Sequence, residues 1–231
     1  MNTTPARPGS RTLLLAGSTG LVGRELLSQA LAEGWTVHAL VRRVPQPAPQ
    51  SPQLHWQVVD FARPSAWPAL STLPGAEHAL CALGTTIKVA GSQAAFRAVD
   101  FDAVLAFARA AKAAGVKHFG AVSALGASAG SSNFYSRVKG EAEAALAELG
   151  FASLTLARPS LLTGDRAALG QPERPGEAWA LRFSKPLAVL IPAAWRPIDA
   201  ATVARALHRA VLEGRPGVRV LSSAEMQRLG R

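Results

Sequence analysis

The stretch TLLLAGSTGLVGRELL, residues 12–27, constrains the fold more than any other part of the chain. A short apolar run leads into three glycines at three-residue intervals, Gly17, Gly20 and Gly23, and a helical pattern follows. Short apolar runs bounded by glycine are typical of buried strands, whereas apolar residues three and four positions apart indicate a helix. This stretch therefore predicts a strand, a tight turn of bare backbone, and a helix.

Alternating strands and helices are predicted along most of the chain. The helical patterns end at Gly34, Gly115 and Gly150, as glycine commonly follows a helix. A proline-rich stretch, residues 44–53, predicts a loop. Strands separated by helices favour an α/β fold with a doubly wound parallel sheet, of the Rossmann type. The predicted strands are RTLLLAG, WTVHALV, LHWQVVD, HALCAL, HFGAVS, ASLTLA and, near the C-terminus, GVRVLSS.

A chain of 231 residues, 48% of them hydrophobic, is long enough for one domain. Residues 1–10 are polar and contain two prolines, so we expect a disordered tail there. Residues 11–231 are expected to form the single domain. The alternating pattern weakens after Pro159, and residues 159–231 are expected to contribute a small substrate lobe, in which Trp179 and Trp195 either line a pocket or pack the lobe.

Composition argues against several classes of partner. The net charge of +10 comes from scattered basic residues rather than a basic run with interleaved aromatics, so we expect no nucleic-acid partner. No apolar run approaches the roughly 20 residues of a membrane helix, so we expect no membrane partner. The five histidines show no metal-ligand spacing, which predicts no metal site. The single cysteine, Cys81, indicates a reducing compartment, and the cytoplasm is the expected location; Cys81 itself is expected to be a buried hydrophobe.

The glycine turn lies where doubly wound folds bind dinucleotides. There the first glycine permits a tight bend, the second lets a phosphate approach the backbone, and the third allows close helix packing. The helix N-terminus offers unpaired N–H groups to an anion. A strand-to-helix turn without a ligand is the alternative. The predicted cofactor-binding residues at the turn are Gly17, Ser18, Thr19, Gly20, Leu21, Val22 and Gly23.

Two arginines after the second strand predict the choice of dinucleotide. An acidic residue at this place would bind the ribose 2′-hydroxyl of NAD(H), but the chain has Arg42 and Arg43. Guanidinium groups can hold the 2′-phosphate of NADP(H) through forked hydrogen bonds. We therefore predict NADP(H) in preference to NAD(H), the alternative being that both arginines are solvated loop residues.

The chain has one tyrosine, Tyr135, four residues before Lys139 in NFYSRVKGE. On a helix both side chains lie on one face. A neighbouring ammonium group favours the phenolate and so lowers a tyrosine pKa that is ordinarily about 10. Ser123 ends the predicted strand HFGAVS, at the edge of the sheet where ligands bind. These residues predict that Tyr135 exchanges a proton with a substrate oxygen that Ser123 also holds.

The ordered set of motifs resembles the short-chain dehydrogenase/reductase superfamily, with an NAD(P)-binding domain like that of the NAD-dependent epimerases and dehydratases. The segments ALGTT, VDFDAVLAFARAAKAAGVKHF, SSNFYSRVKGE and LARPSLLTGDR are similar to the atypical subgroup that contains the human Tat-interacting-protein oxidoreductase. The similarity extends over residues 11–221. It implies an oxidoreductase that transfers hydride between a nicotinamide and a small carbonyl or alcohol.

The resemblance also implies roles for individual residues. Tyr135 would donate the proton, Lys139 would tune Tyr135 and bind the nicotinamide ribose, and Ser123 would orient the carbonyl. Cofactor contacts are implied for Asp60 at the adenine, Leu83 and Gly84 beneath the ribose, Pro159 to Leu162 beside the nicotinamide, and Arg174.

In one respect the chain departs from the larger family, which often has a relay asparagine before the serine strand. The corresponding stretch VDFDAV carries Asp100 and Asp102 instead. A regulatory or scaffold protein that binds NADPH with little turnover stays open as the alternative function, and a homodimer stays open as the oligomeric state. Epimerase activity is disfavoured, since about 70 residues after Arg158 are few for a sugar-nucleotide lobe.

Overall fold

The computed structural model describes residues 11–67, 70, 75–164 and 195–230. Within these ranges seven parallel strands form one sheet in the order β3-β2-β1-β4-β5-β6-β9. This is the doubly wound arrangement predicted from the sequence, with the order reversing between β1 and β4. The strands of the sheet are β1 (Thr12–Ala16), β2 (Thr36–Val41), β3 (Leu54–Val58), β4 (His78–Cys81), β5 (His118–Val122), β6 (Ser153–Arg158) and β9 (Gly217–Ser222).

Helices cover both faces of the sheet. Two further short strands, β7 (Leu162–Thr163) and β8 (Ile198–Asp199), pair separately in parallel. The last helix, α7, directly follows β9 and was not predicted. The helices are α1 (Leu21–Ala32), α2 (Ile87–Ala90), α3 (Gln93–Arg97), α4 (Val104–Ala113), α5 (Phe134–Glu148), α6 (Ala200–Glu213) and α7 (Ser223–Leu229), and a π-helical segment, Ala98–Ala103, joins α3 to α4.

The apolar strands divide their side chains between two cores, because successive residues of a strand point to opposite faces. Leu13 and Leu15 of β1 face the core formed with α1 and α6, whereas Leu14 and Ala16 face the core formed with α4 and α5. Burial on both faces explains why these strands read as continuous apolar runs. Cys81 belongs to the second core, as predicted, and burial raises the pKa of its thiol to about 12.

Part of the predicted substrate lobe takes part in the main sheet. Within residues 159–231, α6 packs against α1, and β9 pairs with β6 at the edge of the sheet. Asp199 caps α6 through a hydrogen bond from the Ala201 N–H, as its position in the sequence suggests. Trp195 is exposed. Residues 1–10, Trp179 and Arg174 lie outside the described residues.

A cluster of rings closes the amino-terminal edge of the sheet, opposite the glycine turn. Trp35 contacts His78 and His208 edge to face, at centroid distances of 5.4 and 5.5 Å. His78 stacks on His118 at 5.0 Å. Burial, and next the charge that His118 would carry, lower the pKa of His78 to about 4. The native chain therefore holds His78 neutral at pH values where an unfolded chain would protonate it.

This cluster predicts loss of stability in mild acid. The pKa of His78 is lower in the folded chain than its ordinary 6.5. Neutral His78 therefore contributes to the free energy of unfolding above pH 6.5, and this contribution is lost as the pH falls towards 4. The free energy of unfolding, measured with urea between pH 4 and 7, should depend less on pH for His78→Gln than for the unsubstituted chain. Equal pH dependence of the free energy of unfolding for His78→Gln and the unsubstituted chain would contradict the prediction.

Candidate functional site

The carboxyl-terminal edge of the sheet brings the predicted site residues together. The strand register pairs Ala16 with Leu40 and with Cys81, so the segments that follow β1, β2 and β4 are neighbours. Ala121 pairs with Cys81 and with Leu156, which continues the same edge across β5 and β6. The segments that leave this edge carry the glycine turn, Arg42 and Arg43, Asp60, Leu83 and Gly84, Ser123 and Pro159.

The glycine turn is built on close backbone contacts. Gly17 has φ +84°, and a Cβ there would lie 2.4 Å from the carbonyl carbon of Ala82. A Cβ at Gly23 would lie 1.9 Å from the carbonyl oxygen of Gly17, so the helix can approach the turn only without a side chain. Gly20 is more open, since its nearest contact would be that same oxygen at 3.4 Å. The first and third glycines thus serve packing, and the second leaves the backbone accessible.

The start of α1 is the place on the turn that fits an anion. Gly20 is the N-cap of α1, no side chain caps this helix, and its first turn contains no acidic residue. By contrast, side chains of Thr86, Ser92 and Asn133 cap α2, α3 and α5. The first N–H groups of α1 therefore have no side-chain acceptor, and the Ser18 Oγ, two residues before the N-cap, is buried without a hydrogen-bond partner. A pyrophosphate would satisfy both, because helix N-termini and hydroxyl groups bind phosphate oxygens.

The other predicted cofactor residues lie in the turn or on neighbouring segments. In the turn, Thr19 is exposed and Val22 is buried in the first core, and Arg42 and Arg43, which follow β2, are exposed. Residues 162–164 lie against the start of α1, since a Cβ at Gly164 would be 2.9 Å from Leu21 Cδ1.

Asp60 lies two residues beyond β3 and is exposed. Its carboxylate accepts hydrogen bonds from Arg63 Nε at 2.8 Å and from the Ala62 N–H at 2.9 Å. The Arg63 hydrogen bond, followed by that of Ala62, lowers the pKa of Asp60 below its ordinary value. The backbone oxygen of Asp60 accepts from Trp67 Nε1 at 2.7 Å, and the Trp67 ring packs edge to face on Phe61. These contacts fix the segment after β3 at the edge of the sheet.

Helix α5 carries Tyr135 and Lys139 on one face. Asn133 caps the helix by accepting a hydrogen bond from the Ser136 N–H, which accounts for the asparagine near the tyrosine. The Tyr135 ring packs at 5.5 Å from the buried Phe96 ring of α3. Gly140 permits the close approach of α5 to the segment after β5, because a Cβ there would lie 2.1 Å from the Ser128 carbonyl carbon. Together these contacts fix the first two turns of α5.

Ser123 follows β5 and lies close to Lys139. Its N–H donates to the Ala157 carbonyl at 2.7 Å, while its buried Oγ has no hydrogen-bond partner. Ser123, Lys139 and Asp100 line one small cavity beneath the edge of the sheet. Pro159, on the neighbouring segment, is buried, and its carbonyl accepts from the Leu125 N–H at 2.9 Å. An unsatisfied buried hydroxyl beside a lysine is suited to binding a substrate oxygen.

The partner of Lys139 was not predicted from the sequence. Lys139 Nζ lies 2.8 Å from Asp100 Oδ1, and the two side chains are 8% and 0% exposed. In the sequence, Asp100 was noted only as a departure from the relay asparagine. No local pattern indicates its pairing with a residue 39 positions away.

Among the described residues, no group of three or more His, Cys, Asp or Glu side chains could hold a metal ion. None of the described helices is both long and apolar enough to cross a membrane.

Comparison with known proteins decides the family. Residues 17–178 match the NAD(P)H-binding family of proteins, a stretch that runs from the glycine turn through Tyr135 and Lys139. The chain belongs to this NAD(P)H-binding family. The uncapped start of α1 and the Ser18 hydroxyl fit the pyrophosphate of such a cofactor, with Arg42, Arg43, Asp60, Gly84 and Lys139 on the same edge of the sheet.

Relatives of known sequence cover nearly the whole chain. Protein HTATIP2 of Rattus norvegicus is 34% identical over 230 residues, which is 96% of this chain and 90% of the relative. A Coccidioides immitis protein named FMP52, mitochondrial, is 34% identical and covers 95% of this chain and 96% of its own length. These matches confirm the resemblance to the subgroup of Tat-interacting-protein oxidoreductases.

The expected cytoplasmic location is wrong, because the FMP52 relatives from several fungi are named mitochondrial. The physical reason is that a lone cysteine distinguishes a reducing from an oxidising compartment. It does not distinguish one reducing compartment from another.

Solved structures of this NAD(P)H-binding fold match at low sequence identity. The Bordetella bronchiseptica enzyme WbmG in complex with NAD superposes with a TM-score of 0.69 at 18% identity, covering 96% of this chain and 76% of that chain. The oxidoreductase ylbE from Lactococcus lactis superposes with a TM-score of 0.62 at 18% identity, covering 94% of this chain and 95% of that chain. These matches confirm the Rossmann-type fold.

Proposed function

We propose that this member of the NAD(P)H-binding family is an NADP(H)-dependent oxidoreductase of small carbonyl or alcohol substrates. The observation that carries the proposal is the grouping of Tyr135 and Lys139 on one face of α5, with the unpartnered Ser123 Oγ on the cavity that Lys139 also lines. Such a grouping can bind a substrate oxygen and exchange a proton with it. When bound, the nicotinamide supplies the hydride chemistry.

Residues of the chain bind the cofactor, orient the substrate and transfer the proton. The N–H groups at the start of α1 and the Ser18 hydroxyl hold the pyrophosphate, and the backbone at Leu83 and Gly84 supports the ribose. Ser123 donates a hydrogen bond to the carbonyl oxygen and orients it. Tyr135 donates its phenolic proton to that oxygen during reduction and accepts it back during oxidation. Lys139 interacts electrostatically with Tyr135 from the same face of α5.

Turnover tests this proposal. The purified chain is mixed with NADPH and a panel of small aldehydes and ketones, and oxidation of NADPH is followed by its absorbance. We expect carbonyl-dependent oxidation with at least one class of substrate, and the reverse reaction with NADP+ and the matching alcohol. Tight NADPH binding without turnover on any carbonyl or alcohol would contradict the proposal and would favour the regulatory alternative.

Arg42 and Arg43 predict the preference for NADP(H). Both follow β2 at the edge that carries the glycine turn, and both are exposed. Hydrogen bonds from a charged group contribute about 1.5–3 kcal/mol, so replacing both arginines by alanine should weaken NADPH binding by at least about tenfold while NADH binding changes little. Arg109, an exposed residue of α4, provides the control for loss of positive charge. Calorimetric titration gives both affinities, and equal binding of NADPH and NADH by the unsubstituted chain would contradict the preference.

A further inference from the structure

The ion pair between Lys139 and Asp100 is buried almost completely. Nζ and Oδ1 are 2.8 Å apart, and Asp100 has no exposed side-chain surface. Removing two charges from water costs free energy that their attraction often fails to return, and apolar pairs of similar size are frequently as stable. The stability of the fold therefore explains the presence of this buried ion pair only weakly. A requirement for a charged lysine at this position explains it better.

Asp100 also holds the segment that follows β4. Its second oxygen, Oδ2, accepts a hydrogen bond from the Thr85 N–H at 2.9 Å. Gly84 lies directly over the ion pair, since a Cβ there would be 3.4 Å from Asp100 Oδ1 and 3.7 Å from Lys139 Nζ. One carboxylate thus fixes both the lysine of α5 and the backbone of residues 84–85.

The helix that carries Asp100 is locally deformed. Asp100 lies in the π-helical segment Ala98–Ala103, between the α-helical α3 and α4. Single π-helical turns are rare and occur frequently at functional sites. The preceding Arg97 forms an ion pair with Glu141 of α5 and packs over the Phe101 ring at 4.2 Å, which ties the segment to the helix of Lys139. The deformation coincides with the residue that meets Lys139.

The groups that face Lys139 make Asp100 its main counter-charge. Tyr135 lies on the same helix, and the Cys81 thiol approaches from β4, its pKa raised by burial. Glu143, one turn further along α5, is engaged by Arg158 of β6, whose Nε donates to Oε1 at 3.0 Å. Burial has the largest single effect on Lys139 and lowers its pKa, but the negative charge of Asp100, that of Tyr135 and the hydrogen bond to Asp100 together raise the pKa above its ordinary value.

We propose that Asp100 is a positioning residue that keeps Lys139 in the ammonium form and aligns it with residues 84–85 for dinucleotide binding. This inference rests on the proposed function, because it concerns Lys139, which acts there beside Tyr135 and which the family resemblance assigns to the nicotinamide ribose. In this chain the Asp100 carboxylate contacts Lys139 directly, in the stretch where the larger superfamily often has an asparagine. Asp100 acts through Lys139 and touches neither substrate nor cofactor.

The informative substitution is Asp100→Asn. Asparagine keeps the size of aspartate and an oxygen that can accept from Thr85, but it removes the charge beside Lys139. A buried lysine without a counter-charge releases its proton at much lower pH. The matched control is Asp102→Asn, which removes a carboxylate from the same π-helical segment at an exposed position.

The first measurement is the affinity for NADPH between pH 6 and 9, by calorimetric titration. For Asp100→Asn we expect the affinity for NADPH to fall by about tenfold or more as the pH rises from 6 to 9. The reason is that each pH unit above the pKa of Lys139 lowers the charged fraction of this lysine about tenfold. The unsubstituted chain and Asp102→Asn should show the same shallow profile. An Asp100→Asn profile that matches that of Asp102→Asn would overturn the inference.

A second measurement separates this inference from the proposed function. With ¹³C-labelled lysine, the Cε resonance of Lys139, assigned through Lys139→Arg, reports its protonation in the chain without added dinucleotide. We expect this resonance to titrate at lower pH in Asp100→Asn than in the unsubstituted chain. Failure of the unsubstituted chain to bind NADPH would refute the proposed function while the resonance still tests Asp100. Unchanged titration in Asp100→Asn would overturn the role of Asp100 whether or not NADPH binds.

Thermal unfolding covers the case in which Asp100→Asn folds poorly. The double variant Asp100→Asn/Lys139→Met has no buried charge left at the pair, so it should melt at a higher temperature than Asp100→Asn alone. Equal melting temperatures for the single and double variants would show that Asp100 serves the fold without acting on Lys139, which would overturn the inference.

Discussion

Replacement of Tyr135 by phenylalanine is expected to reduce kcat for carbonyl reduction by about 10²- to 10⁴-fold, the usual contribution of a general acid. Phenylalanine keeps the ring that packs at 5.5 Å from Phe96, so the fold of α5 should persist. It lacks only the hydroxyl that would protonate the substrate oxygen. Steady-state kinetics on the best substrate of the carbonyl panel measures the loss.

The affinity for NADPH provides the internal control for Tyr135→Phe. It should remain within about twofold of the unsubstituted value, because the glycine turn and the charge of Lys139 are untouched. Loss of turnover with intact binding would separate proton transfer from cofactor binding. Retention of most of kcat in Tyr135→Phe would contradict the role assigned to this residue and would leave the proton without an identified donor.

The second large effect is expected at Gly23. An alanine Cβ at this position would lie 1.9 Å from the Gly17 carbonyl oxygen and 3.0 Å from Ser18 Cα, so the helix and the turn must move apart. Overpacking of well-packed contacts commonly costs about 1–3 kcal/mol, and here the obstructing atoms are backbone, so we expect about 3 kcal/mol. NADPH binding should be lost as well, since the displaced backbone is the proposed pyrophosphate site.

Gly130→Ala is the matched control for Gly23→Ala. A Cβ at Gly130 would meet nothing within 4 Å, and its φ lies outside the left-handed region. For a chain of this size a loss of 3 kcal/mol corresponds to a fall in Tm of roughly 6–12 °C, which thermal unfolding resolves easily. Similar Tm values and similar NADPH affinities for the two variants would contradict the packing role of Gly23.

Local patterns predicted the strands, the main helices and the glycine turn. Each of these depends on residues close together in sequence, and burial of β1 on both faces explains the apolar run that revealed it. The position of Ser123, one residue past β5, also follows from such a pattern. The capping of α6 by Asp199, which accepts from the Ala201 N–H two residues on, is a local feature of the same kind.

Features that depend on distant pairs could not be read from the sequence. Asp100 meets Lys139 only because a π-helical segment and α5 pack together, and no local pattern marks either the deformation or the pairing. The rings of Trp35, His78 and His208 likewise come from three separate parts of the chain. Helix α7 was missed because its seven residues are too few to show a clear period.

A crystal structure of the chain with NADPH tests the central claim most directly. We expect the pyrophosphate to lie against residues 17–23 at the start of α1, with the nicotinamide on the side of the sheet edge that carries Tyr135, Lys139 and Ser123. The ribose hydroxyls should lie within hydrogen-bond distance of Lys139 Nζ, about 3 Å. A dinucleotide bound elsewhere, or a nicotinamide turned away from Tyr135 with Lys139 contacting only Asp100, would contradict the proposed site.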